Sequence, residues 1–125
     1  MNRFSTDSGA QNGTVNTHLP ATIYSFNIVN DDGVLSFENR KLFAHVHTGV
    51  PDGIKVDTNG NVYASTGDGV NTYNSKGELI GVINVGTTSA NLALLGNGQM
   101  VLLAENTIYI VNLNRNVEPT PFHYA

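Results

Sequence analysis

The 125-residue chain contains no cysteine. A disulfide, a thiolate nucleophile and a zinc–thiolate centre are therefore all excluded. Charge is sparse, with only 13% Asp, Glu, Lys and Arg. The surface must be built largely from Asn, Thr, Ser and Gly. Net charge is −4 and the six Lys and Arg residues form no cluster, which argues against nucleic acid and anionic membrane as partners. No apolar run approaches the roughly 18 residues of a membrane-spanning helix. Met1–Asp7 lacks an apolar h-region, so no signal peptide is expected. No segment keeps a 3.6-residue period over about 11 residues, so essentially no helix is expected. There is also no Gly-x-Ser-x-Gly elbow to support Ser/His/Asp catalysis.

What the chain does have is β-type punctuation. Thirteen glycines, many in Asn-Gly or Asp-Gly pairs, suit hairpin turns. Hydrophobic residues make up 40%, enough for a packed core in one domain.

The chain also resembles itself at an offset of 38 residues. Gly60-Asn61-Val62-Tyr63-Ala64 falls on Gly98-Gln99-Met100-Val101-Leu102, and Val70-Asn71-Thr72-Tyr73-Asn74 falls on Ile108-Tyr109-Ile110-Val111-Asn112. A period near 40 with short strands marks stacked or radial repeats such as propeller blades. Gly53 to Val85 reads as one complete blade of four short antiparallel strands. Asn91–Leu95, Gln99–Ala104 and Thr107–Leu113 read as the first three strands of the next. Thr22–Val29 and Leu35–Val46 would be strands three and four of a preceding blade, with Phe4–Asp7 a stub of its second. Glu38-Asn39-Arg40-Lys41 reads as a break there.

The expected fold is all-β: part of a six-bladed β-propeller, with an incomplete blade at 1–48, a complete one at 49–86 and an incomplete one at 87–113. Residues 8–21 read as a long loop, and 114–125 as a fraying tail. So few blades would leave an apolar face open at each end, able to self-associate or to complete a ring with another chain or copy. Leu94, Val101 and Ile110 read as core between blades.

Several segments are candidates for chemistry. Pro51-Asp52-Gly53 precedes an inner strand, where a propeller opens onto its channel; a carboxylate there can bind a cation or act as a base, or the triplet is simply a turn. Asp57-Thr58-Asn59-Gly60-Asn61 with Asp68 imitates the start of an EF-hand loop. Val62 stands where that loop needs glycine, so a hairpin turn explains it better. His45 and His47 alternate and share a strand face, a spacing that can ligate a metal. His18 and His123 fall in expected loops without a partner. Asn91, one residue past the repeat equivalent of Asp52, reads as a turn-capping amide near the channel. Asn12-Gly13-Thr14 is a glycosylation sequon, meaningful only if the chain is secreted.

Gly49-Val50-Pro51-Asp52-Gly53-Ile54-Lys55-Val56-Asp57, followed by Gly60-Asn61-Val62-Tyr63 and Gly67-Asp68-Gly69-Val70, resembles the gluconolactonase/regucalcin (senescence marker protein) family. Thr6–Ala10, Ile23–Phe26, Leu79–Gly81 and Ala90–Ala93 are similar to its lactonase-like members, so the resemblance runs from about residue 4 to 113.

The resemblance implies a six-bladed propeller with one divalent metal, calcium or zinc, on its axis. A Glu near the family's N-terminus, a middle Asn and the Asp of the Pro-Asp-Gly segment hold it. That Asp matches Asp52, as metal ligand and as base. The implied reaction opens a sugar lactone or related ester through metal-bound water or a polarised carbonyl. The segments for the other two ligands have no counterpart here. The chain is thus expected to be a C-terminal portion of such a hydrolase, to bind metal weakly and to be inactive alone; the alternative is a non-catalytic blade module.

Overall fold

The computed structural model describes residues 2–11, 14–15 and 21–121. Twelve strands follow in order: β1 (Asn2–Asp7), β2 (Ala10–Gln11), β3 (Thr14–Val15), β4 (Thr22–Asp31), β5 (Val34–His45), β6 (Ile54–Val56), β7 (Val62–Thr66), β8 (Gly69–Tyr73), β9 (Leu79–Asn84), β10 (Asn91–Gly96), β11 (Gln99–Ala104) and β12 (Thr107–Asn112). No helix occurs among the described residues. Three antiparallel sheets carry the fold: β1-β4-β5, β6-β7-β8-β9 and β10-β11-β12. The middle sheet is the four-stranded unit that the turn spacing predicts. The repeat is structural too, since β7 and β8 recur 38 residues on as β11 and β12.

The sheets are stacked face to face by the period-two alternation of their strands. Val62 and Ala64 of β7 pack with Ile23, Ala44 and Val46 of the first sheet and its exit. Tyr63 and Val70 pack the other way, on Leu92, Leu94, Met100 and Leu102 of the last sheet. An edge-to-face aromatic chain, Phe4–Phe43–Tyr73, joins the first sheet to the middle one at centroid distances of 4.7 and 6.3 Å. Leu94 is core as expected, whereas Ile110 is 59% exposed. The alternation that turns Met100 and Leu102 inward turns Val101, Leu103, Ile108 and Ile110 to the free face of the last sheet.

Three segments depart from the sequence reading. The 8–21 stretch is not all loop, because β2 and β3 pair as a short hairpin, Ala10 with Val15 and Gln11 with Thr14. The expected break at Glu38–Lys41 does not interrupt the strand. Asn27 pairs with Glu38 and Ser25 with Lys41, so Asn39 and Arg40 together oppose Phe26. The extra residue is absorbed as a β-bulge, with Asn39 at φ 53°. Arg40 lies over the Tyr24 ring, 4.7 Å from its centroid.

The tail, third, is docked rather than frayed, as far as it is described. Pro119 bridges to Asp57, and the Thr120 N–H donates to the Val56 carbonyl at 3.1 Å. The Thr120 hydroxyl lies 2.9 and 3.0 Å from the Val56 and Asp57 carbonyls. Gly98 N–H donates to Val117 O, and Asn97 N–H to the Glu118 carboxylate.

Candidate functional site

The loops that enter β6 and β10 meet the ends of β7 and β11 at one rim of the stacked sheets. Backbone bonds fix this rim. Asp52 N–H donates to Ser65 O at 3.0 Å, Ser65 N–H to Gly53 O at 2.8 Å, and Gly53 N–H to Ala90 O at 3.0 Å. Gly67 N–H reaches Thr48 O at 3.1 Å, and Ser89 N–H reaches Thr66 O at 3.0 Å. The Pro51-Asp52-Gly53 segment is therefore tied to its own sheet and to the next one.

Glycine is required at two points. A Cβ on Gly53 would lie 2.3 Å from Asn91 Oδ1, and one on Gly49 would lie 2.6 Å from the Gly67 Cα. Two loops from neighbouring sheets approach too closely there for any side chain.

On this scaffold Asp52 is exposed while Pro51 beneath it is buried. Asn91 stands across from Gly53, and its Oδ1 accepts the N–H of Leu92, the next residue of β10, at 2.9 Å. Below the rim lie hydroxyls that the sequence reading passed over. Ser65, Thr66 and Ser89 are buried, and Ser65 Oγ and Ser89 Oγ are 3.0 Å apart across the two sheets. Their only signal in the sequence is the polar pair closing β7 and the Thr87-Thr88-Ser89 run after Gly86. The rim thus presents the exposed Asp52 carboxylate on a polar platform tied to two sheets. Such a group can accept a proton or bind a cation; it cannot position a substrate alone.

The other candidates fall elsewhere. His45 closes β5 and His47 lies in the bend after it; both are exposed and flank the buried Val46. Among the described residues, no three His, Asp or Glu side chains come together as a metal site. Calcium takes about six to eight oxygens. Asp52 and the amides around it do not make a complete calcium or zinc site. His18, His123 and most of the sequon lie outside the described residues.

Asp57 is the most buried acid, at 2% exposure. Its Oδ1 accepts the Asn59 and Asn61 N–H groups at 2.9 and 2.8 Å, and its Oδ2 accepts the Asn61 amide and the Tyr63 hydroxyl at 2.9 and 3.1 Å. Every interaction faces inward, so the EF-hand-like run is a turn knot. Burial raises the Tyr63 pKa well above the ordinary tyrosine value, and the Asp57 charge and hydrogen bond raise it further.

Antiparallel sheets stacked face to face at a 38-residue period, with inner-strand entries gathered at one rim, define an open arc of β-propeller blades. Residues 14–111 match the model of the SMP-30/gluconolactonase/LRE-like region, and the chain belongs to that family. A solved gluconolactonase from Xanthomonas campestris is 27% identical, with a TM-score of 0.61 over 74% of this chain and 34% of that one. The structure of a second protein, described as a candidate gluconolactonase, is 24% identical, with a TM-score of 0.66 over 78% of this chain and 34% of that one. The chain thus spans about a third of the length of these relatives. Among curated proteins, none matches the chain.

Proposed function

We propose that this chain is the part of a metal-dependent lactonase-type hydrolase that carries Asp52. In the closed six-bladed ring, Asp52 supplies one ligand to a divalent metal, calcium or zinc, and acts as base in opening a sugar lactone or related ester. The observation that supports this is the exposed Asp52 carboxylate on a rim bonded to two sheets; a metal-ligating Asp in the Pro-Asp-Gly segment is what the resemblance to the family implies. Membership of a gluconolactonase-like family supports the reaction class. The other ligands come from blades beyond the three sheets, because a propeller gathers its site from distant segments onto one axis. By itself the 125-mer then binds metal weakly and does not turn over lactone.

The test joins this chain to the complementary blades of a gluconolactonase and compares Asp52→Ala with Asp31→Ala. Loss of lactone hydrolysis and of metal affinity in Asp52→Ala alone is the expected result. Equal activity in the two variants would mean that Pro51-Asp52-Gly53 is only a turn. A tight stoichiometric metal site on the isolated chain would also count against the reading, and His45 and His47 would then be the first ligands to replace.

One observation favours a second reading. The free face of the last sheet exposes Leu103, Ile108 and Ile110. A non-catalytic module that completes a ring with another chain or copy would use that face.

A further inference from the structure

Asn97 and Gly98 form the tight turn between β10 and β11, with φ of 50° and 73°. Asn97 is exposed, whereas Gly98 is buried against the docked tail. The Gly98 N–H donates to Val117 O at 3.0 Å, and the Gly98 carbonyl accepts the Leu113 N–H at 2.6 Å. A Cβ on Gly98 would lie 2.3 Å from Asn114 O. The Asn97 N–H donates to Glu118 Oε1 at 2.8 Å. The repeat supplies a contrast at Asn59-Gly60, where the Gly60 N–H donates inside its own turn, to Asp57 O at 3.0 Å. Of these two turns, the later one alone has its glycine nitrogen held by a distant segment.

Asparagine before glycine is open to deamidation, because glycine has no Cβ to hinder attack by its nitrogen. The Gly98 nitrogen would lose its proton to solvent and attack Asn97 Cγ. The N–Cγ bond forms, the Cγ–Nδ2 bond breaks, and the side-chain nitrogen leaves as ammonia. Water then opens the cyclic imide at either carbonyl, leaving aspartate or isoaspartate at position 97. One water enters, one ammonia leaves, and nothing is oxidised or reduced. The first step needs a free Gly98 N–H, and that proton is bonded to Val117 O while the tail is docked.

We propose that Asn97 is a deamidation site gated by undocking of the tail, and that the carboxylate so formed loosens the tail further. The feedback follows from Glu118. Its carboxylate already lies on the Asn97 N–H, and a new negative charge on that residue repels it. The inference is independent of Asp52 and of any lactonase activity.

The test ages the full chain at mildly alkaline pH, with deamidation of Asn97 read by peptide mapping and Gly98 exchange by amide NMR. Deamidation should be about 10-fold slower in the folded chain than in the urea-unfolded one. Thr120→Val and Val117→Pro each remove a tail hydrogen bond, to the Val56 and Asp57 carbonyls and to Asn114 O respectively. Each should speed deamidation about 10-fold and Gly98 exchange by the same factor, since both need one opening. Thr107→Val, an exposed change on the β11–β12 turn, should alter neither. Asn97→Asp should speed Gly98 exchange about 3-fold at low salt, and by less with Glu118→Gln also present. Equal deamidation in the folded and unfolded chain, or a rate unchanged in both tail variants, would overturn the gating. No effect of Asn97→Asp, or one undiminished by Glu118→Gln, would overturn the feedback.

Discussion

Asp57 organises the β6–β7 connection by accepting four hydrogen bonds through two oxygens. Replacing it by alanine leaves two turn N–H groups and the buried Tyr63 hydroxyl without their acceptor. Each such group costs about 1–3 kcal/mol when unsatisfied, and solvent can relieve only the turn groups. Asp57→Ala is therefore expected to lower stability by about 3 kcal/mol in urea unfolding, and Asp57→Asn by less. Tyr63 adds a pH dependence. Its folded pKa is raised, first by burial and then by Asp57, so the folded state holds the proton more tightly than the unfolded one. The resulting stability is fully present below the ordinary tyrosine value of about 10 and is lost as pH rises beyond it. Wild-type melting temperature should fall more steeply between pH 9 and about 11.5 than that of Tyr63→Phe. Parallel curves would mean that Tyr63 contributes nothing to alkaline unfolding.

Most elements are legible in the sequence because strands of about five residues between Asn-Gly and Asp-Gly turns are local signals. Asp32-Gly33 and Asn97-Gly98, all at positive φ, are the tight hairpin turns that such pairs announce. The bulge at Asn39 was not legible, because a polar run looks the same whether it ends a strand or swells one. The tail was hidden for a different reason. Its hydrogen bonds reach Val56 and Asp57, more than 60 residues back, and no periodicity records that. Its importance can be measured. Thr120→Val keeps the shape of the side chain and removes the hydroxyl shared between the Val56 and Asp57 carbonyls. A loss of about 1–2 kcal/mol is expected, with faster amide exchange at Thr58 and Gly98, whose N–H groups donate to the Glu118 and Val117 carbonyls. Unchanged exchange at those two sites would show that the tail docks without this hydroxyl. The Asp52 rim was half legible. Its Pro-Asp-Gly turn is a local signal, but the platform of Ser65, Thr66 and Ser89 beneath it arises only when two sheets meet.

At the scale of the whole molecule the repeat supplies its own control for what is missing from the last face. Val70 on the middle sheet is fully buried, because the last sheet lies over it. Its equivalent 38 residues on, Ile108, is 70% exposed. Leu103, likewise, stands where the buried Ser65 stands and is 43% exposed. The same backbone position is thus dry in one sheet and wet in the next, and the difference is one covering sheet. Each large aliphatic side chain left in water forgoes about 1.5–3 kcal/mol of burial, so this face gains from any apolar partner. The isolated chain is expected to associate reversibly as concentration rises from about 10 to 500 μM, followed by sedimentation velocity. A double change, Leu103→Lys with Ile108→Lys, should return it to monomer without altering the β-sheet circular dichroism. Lysine is tolerated at these positions because its charge stays in solvent while its stem covers the strand. The matched change on the first sheet, Phe37→Lys, should matter less, since Phe37 already packs against Phe26 at 5.9 Å. A wild-type chain that stays monomeric across the range would show that the exposed Leu103–Ile108 face is not adhesive, and would remove the observation that favours ring completion by another chain.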